Sequence, residues 1–175
     1  MIPVIGANVV YGASGVCSVI DMREEDFGGG RKTYYVLRPL GKLSGGTDIF
    51  VPADNEILLG RIKNVLTPQE IYELIDVASE EQPEWIDDNR ARSAKFESII
   101  SRGDRKEIVA MTKATYNKKR ELSKCGKKMS IADERFIRAA EKILFDEFAF
   151  ALEIEQHEIL PFITKQITCK EKQPV

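Results

Sequence analysis

The sequence has few of the residues that build metal or redox centres. It contains one histidine, one tryptophan and three cysteines in 175 residues. Cys17, Cys125 and Cys169 are odd in number and far apart, which is typical of free thiols in a reducing compartment. A zinc site would need all three together with His157, and no Cys-x-x-Cys pair anchors such a site. We therefore expect neither a metal nor another cofactor.

Long apolar runs are also missing. No stretch approaches the roughly 20 apolar residues that a membrane-spanning helix needs, and the N-terminus lacks the basic-then-apolar layout of a signal peptide. The apolar share of 43% and the charged share of 31% are ordinary for a globular protein. These features predict a cytoplasmic protein without membrane contact.

The glycine clusters lack the context of a phosphate-binding loop. Neither Gly12-Ala13-Ser14-Gly15 nor Gly28-Gly29-Gly30 leads from a predicted strand into a helix or is followed by Lys-Ser/Thr. We interpret both as turns between strands. Ser14 has no histidine in its half of the chain that could activate it, and no pair of acidic residues has a catalytic spacing. The sequence therefore predicts no enzymatic activity.

Residues 1–66 have the pattern of a small antiparallel sheet. Short apolar or β-branched runs alternate with glycine turns, including one at 41–46, and this favours a strongly bent sheet or a partly open barrel. The predicted strands are Asn8 to Tyr11, Val16 to Ile20, Lys32 to Arg38, Thr47 to Pro52 and a fifth within Leu58 to Val65.

The remainder is predicted to be helical, so the fold class is α+β. A threonine cap, a proline at the first helical position and Glu70 in a capping box start a connecting helix and linker at 67–82. Three amphipathic helices follow in an all-helical bundle at 83–155. The first runs from about Pro83 to Ser101, and Asp104 and Ser130 cap the others. Residues 156–175 are predicted to be a tail with a short helix around 159–167.

Charge is distributed unevenly along the chain. Residues 83–130 carry 13 Lys and Arg against 7 Asp and Glu, whereas residues 1–82 carry 7 against 12. A block of positive charge is typical of a phosphate-contacting surface if its residues share a face. The alternative is a pair of well-solvated helices, and charge alone does not separate the two.

The only tryptophan, Trp85, lies where the polar run 79–83 meets the basic block. A large flat side chain at the entry to a basic helix could reach a nucleic-acid base. Alternatively, Trp85 packs the start of the helix onto the core, and the usual burial of tryptophan favours this interpretation.

Several segments, in the same order along the chain, resemble the CarD/CdnL family of transcription regulators. The resemblance covers about residues 1–153, and its N-terminal part is also similar to the RNA polymerase-interacting domain of transcription-repair coupling factor. The segments in the first half are 1–11, Gly15-Val16, Tyr35-Val36-Leu37 and Val51-Pro52-Ala53-Asp54-Asn55. In the second half they are Trp85, Ser101-Arg102-Gly103-Asp104, Lys118-Lys119-Arg120 and 139–144.

The resemblance implies a bacterial, nucleoid-associated, monomeric regulator without enzymatic activity. A Tudor-like sheet domain would bind the RNA polymerase β subunit, and the helical domain would bind promoter DNA largely independently of sequence. The tryptophan would insert into the minor groove at the upstream edge of the transcription bubble and stabilise the open complex. The implied DNA-binding residues are Trp85, Arg90, Arg92, Lys95, Arg102, Lys118, Lys119 and Arg120. The implied polymerase-binding residues are Phe27, Arg38, Phe50 and Pro52.

Two positions depart from the family pattern. Ile86-Asp87-Asp88 follow Trp85 where arginines are common in the family, and Phe50 stands where an arginine is frequent. Carboxylates near a phosphate backbone oppose binding, although acids in the first turn favour a helix through its dipole. Two other functions stay open. One is a polymerase-binding adaptor without DNA contact, in which Trp85 is core and the basic block is solvated. The other is an enzyme that acts on nucleic acid with a carboxylate-bound metal, although no pair of acidic residues supports it.

Overall fold

The computed structural model describes residues 2–41, 47–80 and 83–171, with side chains up to residue 166. The chain divides into two compact units, Met1–Val65 and Leu66–Val175. The first contains a sheet and the second contains helices, which confirms the predicted α+β class. No described helix is both long and apolar enough to cross a bilayer.

The first unit is a five-stranded antiparallel sheet with the order β4-β3-β2-β1-β5. A four-residue helix, α1 (Glu56–Leu59), precedes the last strand. The five predicted strands are all present, and the second extends to Glu25. Of the turn predicted at 41–46, everything beyond Gly41 lies outside the described residues. The strands are β1 Asn8–Tyr11, β2 Val16–Glu25, β3 Lys32–Pro39, β4 Ile49–Pro52 and β5 Ile62–Asn64.

The alternation of side chains along β3 and β4 separates a core face from an outer face. Tyr35, Leu37 and Val51 belong to the buried core of the sheet unit. Because successive side chains of a strand point to opposite faces, Tyr34 and Phe50 lie on the other side. This outer face carries Phe50 and Pro52, two of the residues predicted to bind polymerase.

The hairpin between β2 and β3 is closed by one carboxylate. Asp26 Oδ1 accepts hydrogen bonds from the amides of Gly28, at 2.9 Å, and Gly30, at 3.2 Å. Gly28 and Gly30 have φ angles of 93° and 88°, a region that glycine occupies without strain. The predicted glycine turn is confirmed, and it places Phe27 at the hairpin tip.

In its described residues, the second unit contains five helices around one core. The helices are α2 Pro68–Glu80, α3 Asn89–Arg102, α4 Arg105–Lys124, α5 Ile131–Leu152 and α6 Gln156–Glu171. Ile71 and Leu74 of α2 and Ile159 of α6 lie in the same buried cluster as the apolar residues of α3, α4 and α5. The segments predicted as a connector and a tail therefore contribute helices to this core.

The helix ends follow the capping signals of the sequence. Thr67 and Glu70 exchange hydrogen bonds in a capping box, and Asp104 and Ser130 accept from the amides of Glu107 and Asp133. Helix α3 begins at Asn89 instead of Pro83, because Asp88 caps it by accepting from the Ala91 amide at 2.7 Å. The segment 83–88, with Trp85, is consequently irregular.

A buried ion pair joins α4 to α5. Glu147 is fully buried and accepts from the Arg105 guanidinium at 2.7 and 2.9 Å and from the Leu66 amide at 2.9 Å. Removing one partner of such a pair costs about 3–5 kcal/mol, because the other charge stays buried without compensation. Arg105 and Glu147 are 42 residues apart, so sequence spacing could not have revealed the pair.

Candidate interaction surfaces

Trp85 lies at the edge of the helical core. Its ring is partly buried and contacts Phe96 edge-to-face, with ring centroids 6.3 Å apart. Phe96 is itself buried and packs against Phe136 on α5. Trp85 is therefore anchored in the core, yet part of its indole is accessible to solvent.

Arg92 lies against the indole and is almost completely buried. Its guanidinium carbon is 4.4 Å from the centre of the Trp85 ring, and only 4% of the residue is exposed. It forms two hydrogen bonds to the Asp133 carboxylate, at 2.8 and 2.9 Å. This geometry does not favour the predicted contact of Arg92 with phosphate, because its charge is already paired in the interior.

Contacts with Arg92 and Ser130 lower the pKa of the Asp133 carboxyl. Burial by itself would raise its pKa, but hydrogen bonds from Arg92 and Ser130 and the positive charge of Arg92 hold the pKa below its usual value. Asp133 is 4% exposed. The pair is thus charged at neutral pH and joins the start of α3 to the start of α5.

The other predicted DNA contacts are on the surface. Lys118 of α4 is nearest to the indole, with its Nζ 6.0 Å from the ring centre, and it also pairs with Glu121. Arg90 and Lys95 of α3 are exposed, but positions five apart on a helix are about 140° apart around its axis. Those two cations therefore do not share one face.

The end of α4 supplies two more exposed cations, Lys119 and Arg120. Together with Arg90 and Lys95 they make four surface cations, and none of them forms an ion pair with a residue that the structure describes. Such groups are available to neutralise phosphates.

Arg102 does not join this group. It pairs with Glu107 at 2.8 Å in the turn between α3 and α4. Helix α3 has 14 residues and is therefore about 20 Å long. Trp85 precedes its first turn and Arg102 ends it, so the structure places them at opposite ends of the helix.

On the sheet unit, three rings form a cluster that we call the aromatic triad: Phe27, Tyr34 and Phe50. Phe27 contacts both other rings edge-to-face at centroid distances of 5.2 Å, and Tyr34 and Phe50 are 6.3 Å apart. The Arg23 guanidinium lies 5.3 Å from the centre of the Phe50 ring. Phe27 is 63% exposed, and Tyr34 and Phe50 are partly exposed. Apolar groups that are exposed next to one another, unlike a single exposed ring, indicate an interaction surface.

The sequence indicated Phe27 and Phe50 but not Tyr34 and Arg23. The pairing of Tyr34 with Pro52 across β3 and β4 could not be read without the register. Arg23 is three residues from the glycine turn's Asp26 and faces Tyr34 across β2 and β3. The signal was the alternation of β3, which places Tyr34 on the face opposite to Tyr35.

Charges of both signs surround the triad. Arg38 forms a two-fold hydrogen bond with Asp48 at 2.8 and 2.9 Å, and these bonds hold the pKa of the Asp48 carboxyl below its ordinary value. Arg23 pairs with Glu25 at 2.9 Å. Exposed rings with paired charges at their rim are typical of a surface that binds protein, whereas a phosphate-binding surface is predominantly positive.

No three His, Cys, Asp or Glu side chains come together as metal ligands among residues 2–41, 47–80 and 83–166. Cys17 is buried in the sheet, where burial raises the pKa of its thiol to about 11, and Cys125 is exposed. Cys169 lies outside the described side chains.

The first unit is a small antiparallel β domain that carries the aromatic triad. Residues 4–63 match the family model of the CarD-like/TRCF RID domain. The first unit is thus a CarD-like/TRCF RNA polymerase-interacting domain, as its sequence predicted, and this match supports RNA polymerase as a partner. This family is an interaction domain and not a catalytic one. No curated protein matches the chain.

Proposed function

We propose that this chain is a CarD-like transcription regulator that binds the RNA polymerase β subunit and promoter DNA and stabilises the open complex. The observation that carries the proposal is the position of Trp85. A partly accessible indole is held at the edge of the helical core, with Lys118 at 6.0 Å, in a chain whose first unit is a polymerase-interacting domain.

An aromatic side chain next to cations can bind DNA whose strands are already partly separated. Stacking of a base on an aromatic ring contributes about 1–3 kcal/mol, and every base presents a face that can stack. Cations neutralise phosphates without reading sequence. Since the indole would contact unstacked bases only in the melted promoter, its binding energy shifts the equilibrium towards the open complex.

The aromatic triad is the proposed contact with the β subunit. Exposed aromatic residues and arginine are enriched at the centres of protein interfaces. Phe27 projects from the hairpin tip, and Phe50 and Pro52 lie on the edge strand β4. Arg38 lies at the rim in its pair with Asp48, where an ion pair affects partner choice and association rate more than affinity.

A polymerase-binding adaptor without DNA contact is the second candidate, and a specific observation favours it. Glu84, Asp87 and Asp88 are exposed around Trp85, and the indole packs on Phe96. In this second function, the contacts of Trp85 serve only the helical core.

Open-complex lifetime distinguishes the two functions. With purified polymerase, we expect Trp85→Ala to shorten the lifetime by about fivefold or more, because one stacking contact is lost. Trp85→Phe keeps a ring and should have a smaller effect. Thermal unfolding of both variants is the control for folding. A lifetime equal to that of the native chain, with an intact fold, would leave the adaptor function as the explanation.

A further inference from the structure

We propose that Arg92 and Asp133 form a buried positioning pair that sets the orientation of the Trp85 indole. The inference rests on the proposed DNA contact of Trp85 for its functional meaning. The geometry of the pair is independent of that proposal.

The hydrogen bonds of Arg92 account for its whole guanidinium. Nε donates to Asp133 Oδ1, Nη1 donates to the carbonyls of Ile86 and Asp87, and Nη2 donates to Asp133 Oδ2 and Asn89 Oδ1. The distances are between 2.6 and 3.2 Å. An arginine has five N–H donors, and five acceptors surround this one. No donor is left for a phosphate.

These contacts hold the main chain that carries the tryptophan. Ile86 and Asp87 follow Trp85 directly, in a segment without helical or strand hydrogen bonds of its own. Their carbonyls are bound at 2.7 and 3.2 Å by the same guanidinium whose central carbon lies 4.4 Å from the centre of the indole ring. One side chain therefore fixes both the backbone after Trp85 and the plane of its ring.

Asp133 binds the same guanidinium through its Nε and Nη2 groups. It is the third residue of α5, and Ser130 Oγ, the cap of that helix, donates to Asp133 Oδ2 at 2.7 Å. The cap thereby limits the rotation of the carboxylate, and the carboxylate orients the planar guanidinium. The position of the indole is thus set by the start of α5 as well as by α3.

Stability alone does not require this arrangement. A buried ion pair is often no more stabilising than apolar residues of the same volume. Apolar side chains, however, could not bind two carbonyls or present a charged plane to an indole. The planar fork of arginine does both, and the ammonium of lysine does not. The conservative change from arginine to lysine is therefore the informative one.

The first measurement is the exposure of the indole in the full-length protein. Trp85 is the only tryptophan, so quenching of tryptophan fluorescence by acrylamide reports on this residue alone. We expect Arg92→Lys and Asp133→Asn to increase quenching while thermal unfolding remains cooperative. Unchanged quenching in both variants would overturn the positioning role, whatever the protein binds.

The second measurement is affinity for a fork-junction DNA over a range of salt concentrations. Arg92→Lys keeps the charge, and we expect about tenfold weaker binding with an unchanged salt slope, since a stacking contact and not a phosphate contact is impaired. Arg90→Gln is the matched control on the same helix. It should lower the salt slope by about one without altering the fluorescence.

A double-mutant cycle separates failure of the inference from failure of the proposed function. In the Trp85→Ala background, Arg92→Lys should not weaken DNA binding further, because its effect passes through the indole. An equal loss in both backgrounds would overturn the positioning role. If Trp85→Ala alone binds DNA like the native chain, the proposed contact of Trp85 with DNA is wrong, and the quenching experiment still decides the role of Arg92. Asp133→Asn replaces Arg92→Lys in the cycle if the latter does not fold.

Discussion

Burial decides what each of two neighbouring arginines can do. Arg92 is 4% exposed and has an acceptor for every donor, whereas Arg90 is exposed and forms no ion pair in the described part of the chain. Both belong to the same basic block, and composition alone would give them the same role. Of these two arginines, only Arg90 is available to a phosphate.

The pKa of Asp133 leads to a prediction about stability and pH. Because its pKa is lower in the folded chain than the usual value of about 3.9, the unfolded chain binds more protons between these two values. The pair therefore stabilises the fold above about pH 4, and this stabilisation is lost as the pH falls through the folded pKa. We expect the difference in unfolding free energy between the native chain and Asp133→Asn to shrink on acidification.

Urea unfolding from neutral to acidic pH measures this difference. Asp87→Asn is the control, because Asp87 is exposed and its carboxylate forms no ion pair with any described residue. The difference in unfolding free energy between the native chain and Asp87→Asn should stay small at every pH. If the difference in unfolding free energy between the native chain and Asp133→Asn did not change with pH, Arg92 and Asp133 would not be a charged pair that stabilises the fold.

The burial of Arg92 could not be predicted from the sequence. Arg92, Phe96 and Ile99 are spaced i, i+4 and i+7, which is the inner stripe of a helix. The stripe was visible in the sequence, but a charged residue on it is buried only if a partner meets it there. That partner, Asp133, is 41 residues away, and only the packing of α3 on α5 reveals it.

Among the helices, the termini were the most predictable features. Thr67, Asp104, Ser130 and Gly103 mark ends that are confirmed, because capping chemistry is local. The length of α6 was not predictable in the same way. It continues through Pro161 to Glu171, and the complete burial of Ile159 in the core of the helical unit is a tertiary contact.

Gly103 provides a prediction about the junction of α3 and α4. Its φ angle is 63°, in the left-handed region, and its amide donates to the Ile99 carbonyl to end α3. A side chain in this conformation costs about 1–2 kcal/mol. We expect Gly103→Ala to lower the unfolding free energy by about that amount, as measured by urea denaturation.

Gly29→Ala is the matched control for the glycine change. Gly29 lies in the hairpin between β2 and β3, a Cβ there would meet no atom within 4 Å, and its φ is not positive. Its substitution should change stability little. Equal effects at both glycines would mean that the left-handed conformation is not the source of the loss.

For the molecule as a whole, the two surfaces should be separable by single substitutions. The aromatic triad is in the sheet unit, and the indole with its cations is in the helical unit. We expect Phe50→Ala in the full chain to weaken binding to the polymerase β subunit by about tenfold or more, as for a central aromatic anchor. Its affinity for fork-junction DNA should remain that of the native chain.

Pull-down or interferometry with the β subunit, together with the DNA titration, measures both properties. Ile57→Ala is the control, since Ile57 is also an exposed apolar residue of the sheet unit, on α1, but is not part of the triad. A loss of DNA binding with Phe50→Ala, or equal losses with the control, would argue against two independent surfaces.

How far the sites could be predicted differs between the two units. Position in a recognised domain predicted Phe27, Phe50 and Pro52. The structure brings these residues to one face together with Tyr34. In the basic block, charge predicted a surface, but the structure places Lys118 near the indole and Arg102 at the other end of α3. Charge counts do not contain the direction in which each side chain points.

Among the described residues of the helical unit, the buried acids are Asp133 and Glu147. Both belong to α5, and their arginines come from earlier helices. On the ribosome, Arg92 and Arg105 are consequently made well before the residues that neutralise them. The segment that carries Trp85 therefore lacks the Arg92–Asp133 pair until α5 has been synthesised. A nascent chain arrested before Asp133 would carry the polymerase-binding domain complete and the indole still unplaced.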